Sequence, residues 1–268
     1  MNYKILALDM DGTVLNSKRQ ISEKTLAAIR QATELGVIVT IATGRTWTGF
    51  RQYAEVLEPQ HPIILCNGGK IVSPDGREIY FEQNLEPEAA LEIMHHGQAY
   101  GATQIIWTDE RLYSFAETER LRRYAAVAGC DFTILTDEGE ALAQQGITKI
   151  LWTADAEQIV QYQEALPKIL KADVNDSTSS PNFLEFVDSQ VSKGAALSKF
   201  AAHFEMDPAE IIAVGDAMND LTMLQYAGLG VAMENAPDEL KEHADFITLT
   251  NDADGVTHVI ERFIVSGE

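Results

Sequence analysis

Residues 3–8 (YKILAL), 37–42 (VIVTIA) and 63–66 (IILC) are strand-length runs that are almost wholly apolar, the second rich in β-branched side chains. A strand with no polar face has to be covered on both sides, which favours a parallel sheet sandwiched between helices. The intervening segments read as those helices. Ser22 can cap the first and Gly36 can close it, and residues 46–57 read as the second. The pattern returns late in the chain: helix 192–204, strand 211–214 (IIAV), helix 218–227, strand 229–232 and, roughly, helix 253–264. This alternation predicts an α/β fold, a doubly wound, Rossmann-like parallel sheet.

The middle of the chain has a different rhythm. Residues 87–100 read as a helix followed by strands 103–108 and 111–115, joined by Asp109-Glu110. Residues 156–170 read as a helix followed by strands 174–177 and 183–187. A helix-strand-strand unit used twice suits an antiparallel sheet covered on one face. The expected organisation is a core of residues 1–82 and 189–268, with residues 83–188 inserted as an α+β domain.

Composition narrows the partners. Acidic side chains number 41 against 20 basic ones, a net charge of −21, with no Lys/Arg run to interrupt it. Such a surface repels nucleic acid and anionic membranes, so neither is expected as a partner. The two cysteines, Cys66 and Cys130, form no CxxC and read as small core residues of a reducing compartment. No apolar run has the length of a membrane span, and residues 3–8 are too short for a signal-peptide core, so a cytoplasmic location is expected.

Chemistry concentrates at the predicted strand ends. Asp9-Met10-Asp11-Gly12-Thr13 follows the first strand, where ligands of open α/β sheets bind. A calcium loop is a poor alternative, since its first and twelfth positions would be Ala7 and Lys18. An acidic turn with capping carboxylates is the other reading. Gly215-Asp216-Ala217-Met218-Asn219-Asp220 follows strand 211–214, and its carboxylates and amide fall within one helical turn, a set of oxygens suited to Mg²⁺. Taken alone, Asp216 has a second, weaker reading as a helix cap. Thr43-Gly44-Arg45 closes strand 37–42 with a hydroxyl, a flexible amide and a cation, although an ordinary turn has the same composition. Lys193 opens a helix, where a cation opposes the helix dipole and needs another reason to be, unless it is simply solvated.

In combination, DMDGT at 9–13, ATGR at 42–45, SKG at 192–194 and GDAMND at 215–220 resemble the haloacid dehalogenase-like superfamily, and within it the Cof-type sugar phosphatases. NGG at 67–69 and FLEF at 183–186 add to the likeness, and Met10 stands where the family usually has leucine. The resemblance implies a Mg²⁺-dependent phosphatase of small phosphorylated metabolites, with residues 83–188 as a cap that selects substrate. It implies Asp9 as the nucleophile, forming an aspartyl-phosphate, and Asp11 as the general acid and base. Mg²⁺ would be held by Asp9, the backbone carbonyl of Asp11 and Asp216, with Asp220 acting through bound water. Thr43, Lys193 and Asn219, with the amides of Met10 and Gly44, would bind the phosphoryl oxygens, and Arg45 and Asn67 are further candidate substrate contacts.

Overall fold

The computed structural model describes residues 3–137 and 139–267; the outermost residues of the expected core, 1–2 and 268, lie outside them. In chain order, β1 (Ile5–Leu8), α1 (Glu23–Glu34), β2 (Ile38–Ile41), α2 (Trp47–Leu57), β3 (Ile63–Leu65), β4 (Lys70–Val72) and β5 (Ile79–Glu82) come first. Then follow α3 (Pro87–Ala99), β6 (Thr103–Thr108), β7 (Arg111–Ser114), α4 (Glu119–Ala128), β8 (Phe132–Ile134), α5 (Glu140–Gln145) and β9 (Lys149–Thr153). The next three are α6 (Ala156–Ile169), β10 (Val174–Ser180) and β11 (Phe183–Asp188). The chain ends with α7 (Lys193–His203), β12 (Ile211–Gly215), α8 (Leu221–Tyr226), β13 (Leu229–Ala232), α9 (Asp238–Lys241), β14 (Phe246–Ile247) and α10 (Gly255–Val259). Two compact units result: Met1–Gly44, Tyr53–Tyr80 and Ser192–Glu268 make one, and Arg45–Gln52 and Phe81–Val191 the other.

In the first unit the strands order β14-β13-β12-β1-β2, every pair parallel. Every residue of β1 and of β12 is buried, as their unbroken apolar sequence requires. A parallel bridge from Ala42 to Ile64 continues the order to β3, and β3-β4-β5 form a three-stranded sheet of their own. The chain leaves β1 toward β2 on one side and returns as β12 on the other, so the strand order reverses between β1 and β12. The ends of those two strands, at Asp9 and Asp216, therefore meet at the switch point where open α/β sheets bind ligands. The local signals act as read: Ser22 Oγ accepts from Thr25 N–H at 3.0 Å to start α1, and Gly36, at φ +85°, lets the chain leave it.

The second unit is a six-stranded sheet ordered β10-β11-β9-β6-β7-β8, antiparallel except for the β7–β8 pair. Asp109 and Glu110, at φ 46° and 59°, make the tight turn between β6 and β7. On one face Ile106, Ile150, Trp152, Leu184 and Phe186 pack with side chains of α3, α5 and α6. Contrary to the single covered face expected from sequence, α4 covers part of the other, setting Leu121, Ala125 and Ala128 against Ile105, Trp107 and Leu151. Two further expectations are corrected. The predicted helix 218–227 opens as a 3-10 turn over Met218–Asp220, and the last helix changes from α to π geometry at Ile260–Val265.

Candidate active site

The β1–β12 register brings the two acidic motifs together: Ala7 pairs with Ala213 and Leu8 with Val214, and Asp9 N–H donates to Val214 O at 2.9 Å. Lys193, the first residue of α7, is completely buried. Its Nζ donates to Asp9 Oδ1 and to Asp220 Oδ1, both at 2.5 Å. This answers the question posed by a lysine at a helix start, and it removes the solvated alternative. Asp220 Oδ2 accepts from the amides of Asp216 at 2.9 Å and Ala217 at 3.0 Å, which folds the loop back on itself and forces the 3-10 turn. Asp216 does not cap the following helix; its Oδ1 accepts from Thr13 Oγ1 at 2.9 Å. Thr13 closes the first motif, but no sequence signal assigned it this contact.

Two glycines make the approach possible. A Cβ on Gly12, whose φ is +84°, would lie 2.2 Å from Asp216 Oδ2, and a Cβ on Gly215 would lie 2.5 Å from Cβ of Asp220. Gly12→Ala should therefore destabilise the protein by more than backbone strain alone. Gly36 provides the control, because its φ is +85° but nothing lies within 4 Å of its added Cβ. In urea unfolding, Gly36→Ala should cost about 1–2 kcal/mol and Gly12→Ala clearly more. Equal costs would mean that the contact with Asp216 imposes no constraint.

Asp9, Asp216 and Asp220 each offer an oxygen within 4.8 Å of the others, the one such acidic group among the described residues. Burial pushes the Asp9 carboxyl well above the usual carboxylate range; Lys193 opposes this, and Asp220 and Asp216 add to it. Burial, then the charge of Asp220, pushes Asp216 up to about 7. Burial alone would pull the Lys193 ammonium down, but Asp220 and Asp9 outweigh it and hold it above the usual lysine range.

The other sequence candidates distribute as follows. Met10 is buried directly after Asp9, whereas the Asp11 side chain is exposed and outside the acidic group. Thr43 is buried, with its N–H donating to Ile64 O at 2.9 Å; Gly44 follows it, half-buried. Arg45 Nη1 donates to Gly49 O at 2.9 Å in the first turn of α2. Asn219 Nδ2 donates to Asn67 Oδ1 at 3.0 Å, a pairing that sequence did not suggest.

The site is thus a doubly wound α/β core in which aspartates from the ends of β1 and β12 converge on a buried lysine. The chain belongs to the haloacid dehalogenase-like hydrolases, whose family model matches residues 6–260. It is similar to phosphatase YwpJ of Bacillus subtilis, 30% identical over 97% of this chain and 100% of that protein. It is also 30% identical to the 5-amino-6-(5-phospho-D-ribitylamino)uracil phosphatase YcsE of the same organism, over 99% of this chain and 97% of that one. A crystal structure of a haloacid dehalogenase-like hydrolase from Bacteroides thetaiotaomicron superposes with a TM-score of 0.84 at 30% identity, covering 98% of this chain and 100% of that one. The expected family and fold class are thus established, and the enzyme is a phosphatase, a phosphoric monoester hydrolase. Among the described residues no helix is long and apolar enough to cross a membrane.

Proposed function

We propose that this phosphatase is Mg²⁺-dependent, acts on sugar phosphates or similar small phosphorylated metabolites, and works through an aspartyl-phosphate on Asp9. The observation that carries this reading is the charge balance of the buried cluster. Three clustered carboxylates face one ammonium, so full ionisation leaves two negative charges uncompensated, and this repulsion adds to the burial that raises Asp9 and Asp216. A divalent cation with a preference for oxygen suits that deficit. Asp9, Asp216 and the backbone carbonyl of Asp11 would hold it, with Asp220, whose oxygens are already engaged, acting at one remove. Bound Mg²⁺ would supply the positive charge that lets a carboxylate approach a phosphate dianion.

The side chains divide the remaining work. An Asp9 oxygen attacks phosphorus as the ester P–O bond breaks, and Asp11 gives its proton to the leaving oxygen. Asp11, now ionised, takes a proton from the water that attacks phosphorus next, and that step breaks the bond to Asp9 and releases phosphate. The exposure of the Asp11 side chain suits a group that must meet both a leaving group and water. Lys193, kept charged by its partners, with Thr43, Asn219 and the amides of Met10 and Gly44, would bind the phosphoryl oxygens. None of these residues lies within 83–188, so we assign that segment, as an inserted cap, to substrate selection rather than chemistry.

The test is phosphate release by chelator-stripped protein, with and without Mg²⁺, across sugar phosphates, nucleotides, and flavin and pyridoxal phosphates ranked by kcat/KM. Activity that does not respond to Mg²⁺ overturns the reading. A pH dependence follows. Asp216 must be ionised to hold a cation, and burial pushes its carboxyl up to about 7. Mg²⁺ affinity, measured by calorimetry, should fall as pH drops below that value, by up to about tenfold per unit for one proton displaced. An affinity flat between about pH 5 and 8 would remove Asp216 from the cation's ligands.

A further inference from the structure

Between β3 and β4 three successive residues have positive φ: Cys66 at 53°, Asn67 at 56° and Gly68 at 101°. Glycine enters that region freely, asparagine at moderate cost and cysteine at more. Backbone of this kind persists only where its surroundings hold it. Three segments of the first unit do so. Asn67 N–H donates to Thr43 O at 3.0 Å, and Asn67 Oδ1 accepts from Asn219 Nδ2 at 3.0 Å. Gly68 lies so close to the start of α7 that a Cβ there would come within 2.3 Å of Ser192 O.

The loop thus touches Thr43 and Asn219, two of the three side chains assigned above to the phosphoryl oxygens, and Ser192, which directly precedes the third, Lys193. Asn67 is itself buried, with its N–H given to Thr43 O and its Oδ1 taken by Asn219, so it is placed to hold those two residues. Asn219 Oδ1 is buried with no hydrogen-bond partner among the described residues, which leaves the bond to Asn67 to orient that amide. The Asn219 NH₂ group has two hydrogens, and committing one to Asn67 fixes the direction of the other.

We infer that Asn67 is a positioning residue. It grips the Asn219 amide and aims its second N–H at a phosphoryl oxygen, while its own backbone sets Thr43. The inference rests on the reading of Asn219 as a phosphate contact, and its test separates the two. The experiment is a double-mutant cycle on the Mg²⁺-loaded full chain, with para-nitrophenyl phosphate as substrate. Asn67→Gly removes the amide but suits φ 56°; Asn67→Ala removes the same amide and serves as a second, independent arm. Asn219→Ala should lower kcat/KM by about 10²-fold, as for loss of one oriented donor. Each Asn67 variant should lower it by about tenfold through misorientation, chiefly in kcat. Combined with Asn219→Ala, neither should cause further loss, because the amide that the Asn67 side chain orients is then absent and the backbone bond to Thr43 is kept in every variant. Losses that multiply in the double variants, or an Asn67→Gly protein with full activity, overturn the inference and leave the Asn219 assignment standing. A fully active Asn219→Ala protein overturns the assignment itself, and the inference with it.

Discussion

A chain carrying Asp9→Asn is expected to release phosphate at least ~10³-fold more slowly than the parent while remaining folded. An amide oxygen has neither the charge nor the basicity to attack phosphorus and hold it as an acyl phosphate. The prediction that the fold survives comes from the surroundings of Asp9. Lys193 keeps Asp220 at 2.5 Å, so removing the Asp9 charge leaves no buried cation without a partner. It also relieves Asp9 of an unfavourable ionisation, since burial holds its carboxyl well above the usual range and Asp220 and Asp216 push the same way. A carboxyl whose folded pKa is raised costs stability once pH rises above the unfolded value, and costs nothing in acid where both states are protonated. The metal-free Asn variant should therefore melt at or above the temperature of the parent at neutral and alkaline pH, with the difference vanishing in acid. Phosphate release and thermal melting on the same preparations check both halves. Near-parental turnover from a folded Asp9→Asn protein would falsify the nucleophile assignment.

The contrast between what local sequence dictates and what distant partners impose runs through the fold. The buried strands of the parallel sheet were legible because β1, β2, β12 and β13 contain no residue that must reach water along one face. β4 and β9 were not, because each begins with a lysine, Lys70 and Lys149, that reads as a surface residue and is in fact 3% and 2% exposed. Lys149 is held by Glu185 of β11 at 2.8 Å, a partner 36 residues away that no local pattern reveals. α4 escaped notice for the opposite reason: its arginines dilute an apolar stripe of only Leu121, Ala125 and Ala128. The 3-10 start at Met218 has its cause in the Asp220 carboxylate, which binds the amides of Asp216 and Ala217.

The candidate site divides the same way. The motifs, through the family resemblance they carry in combination, singled out Asp9, Asp216, Asp220 and Lys193, and the fold brings these four together. Contacts between motifs were out of reach. Thr13 to Asp216 spans 203 positions and Asn219 to Asn67 spans 152, and only the sheet register makes such pairs neighbours.

Replacing Lys193 by methionine should have the largest combined effect on stability and activity. Methionine fills most of the volume of the lysine stem but removes the ammonium that Asp9 and Asp220 share in a fully buried position. Asp220 keeps the Asp216 and Ala217 amides on its other oxygen, whereas Asp9 loses the contact that lowers its pKa. Breaking a buried ion pair by deleting one partner typically costs roughly 3–5 kcal/mol, and here one deletion strands two carboxylates. The pH dependence has a definite sign. Lys193 in the parent is held above the usual lysine range, so its contribution to stability is present throughout the neutral region and is lost only as pH rises through that folded value. The gap between variant and parent therefore follows the stranded carboxylates: widest near about pH 8, where the fold must ionise them or hold a proton against solvent, and narrowing as acid protonates them in both states. Urea unfolding of both proteins in chelator at about pH 8 and about pH 5 measures the gap directly. Saturating Mg²⁺ should close part of it at the higher pH, because a cation bound only by the folded state supplies charge where the ammonium stood. Phosphate release should nevertheless stay down by about 10²–10³-fold even with Mg²⁺ saturating, since the donor assigned to the phosphoryl oxygens is gone. A gap that is small at about pH 8, or the same at both pH values, would mean that the carboxylates do not depend on Lys193 for their charge.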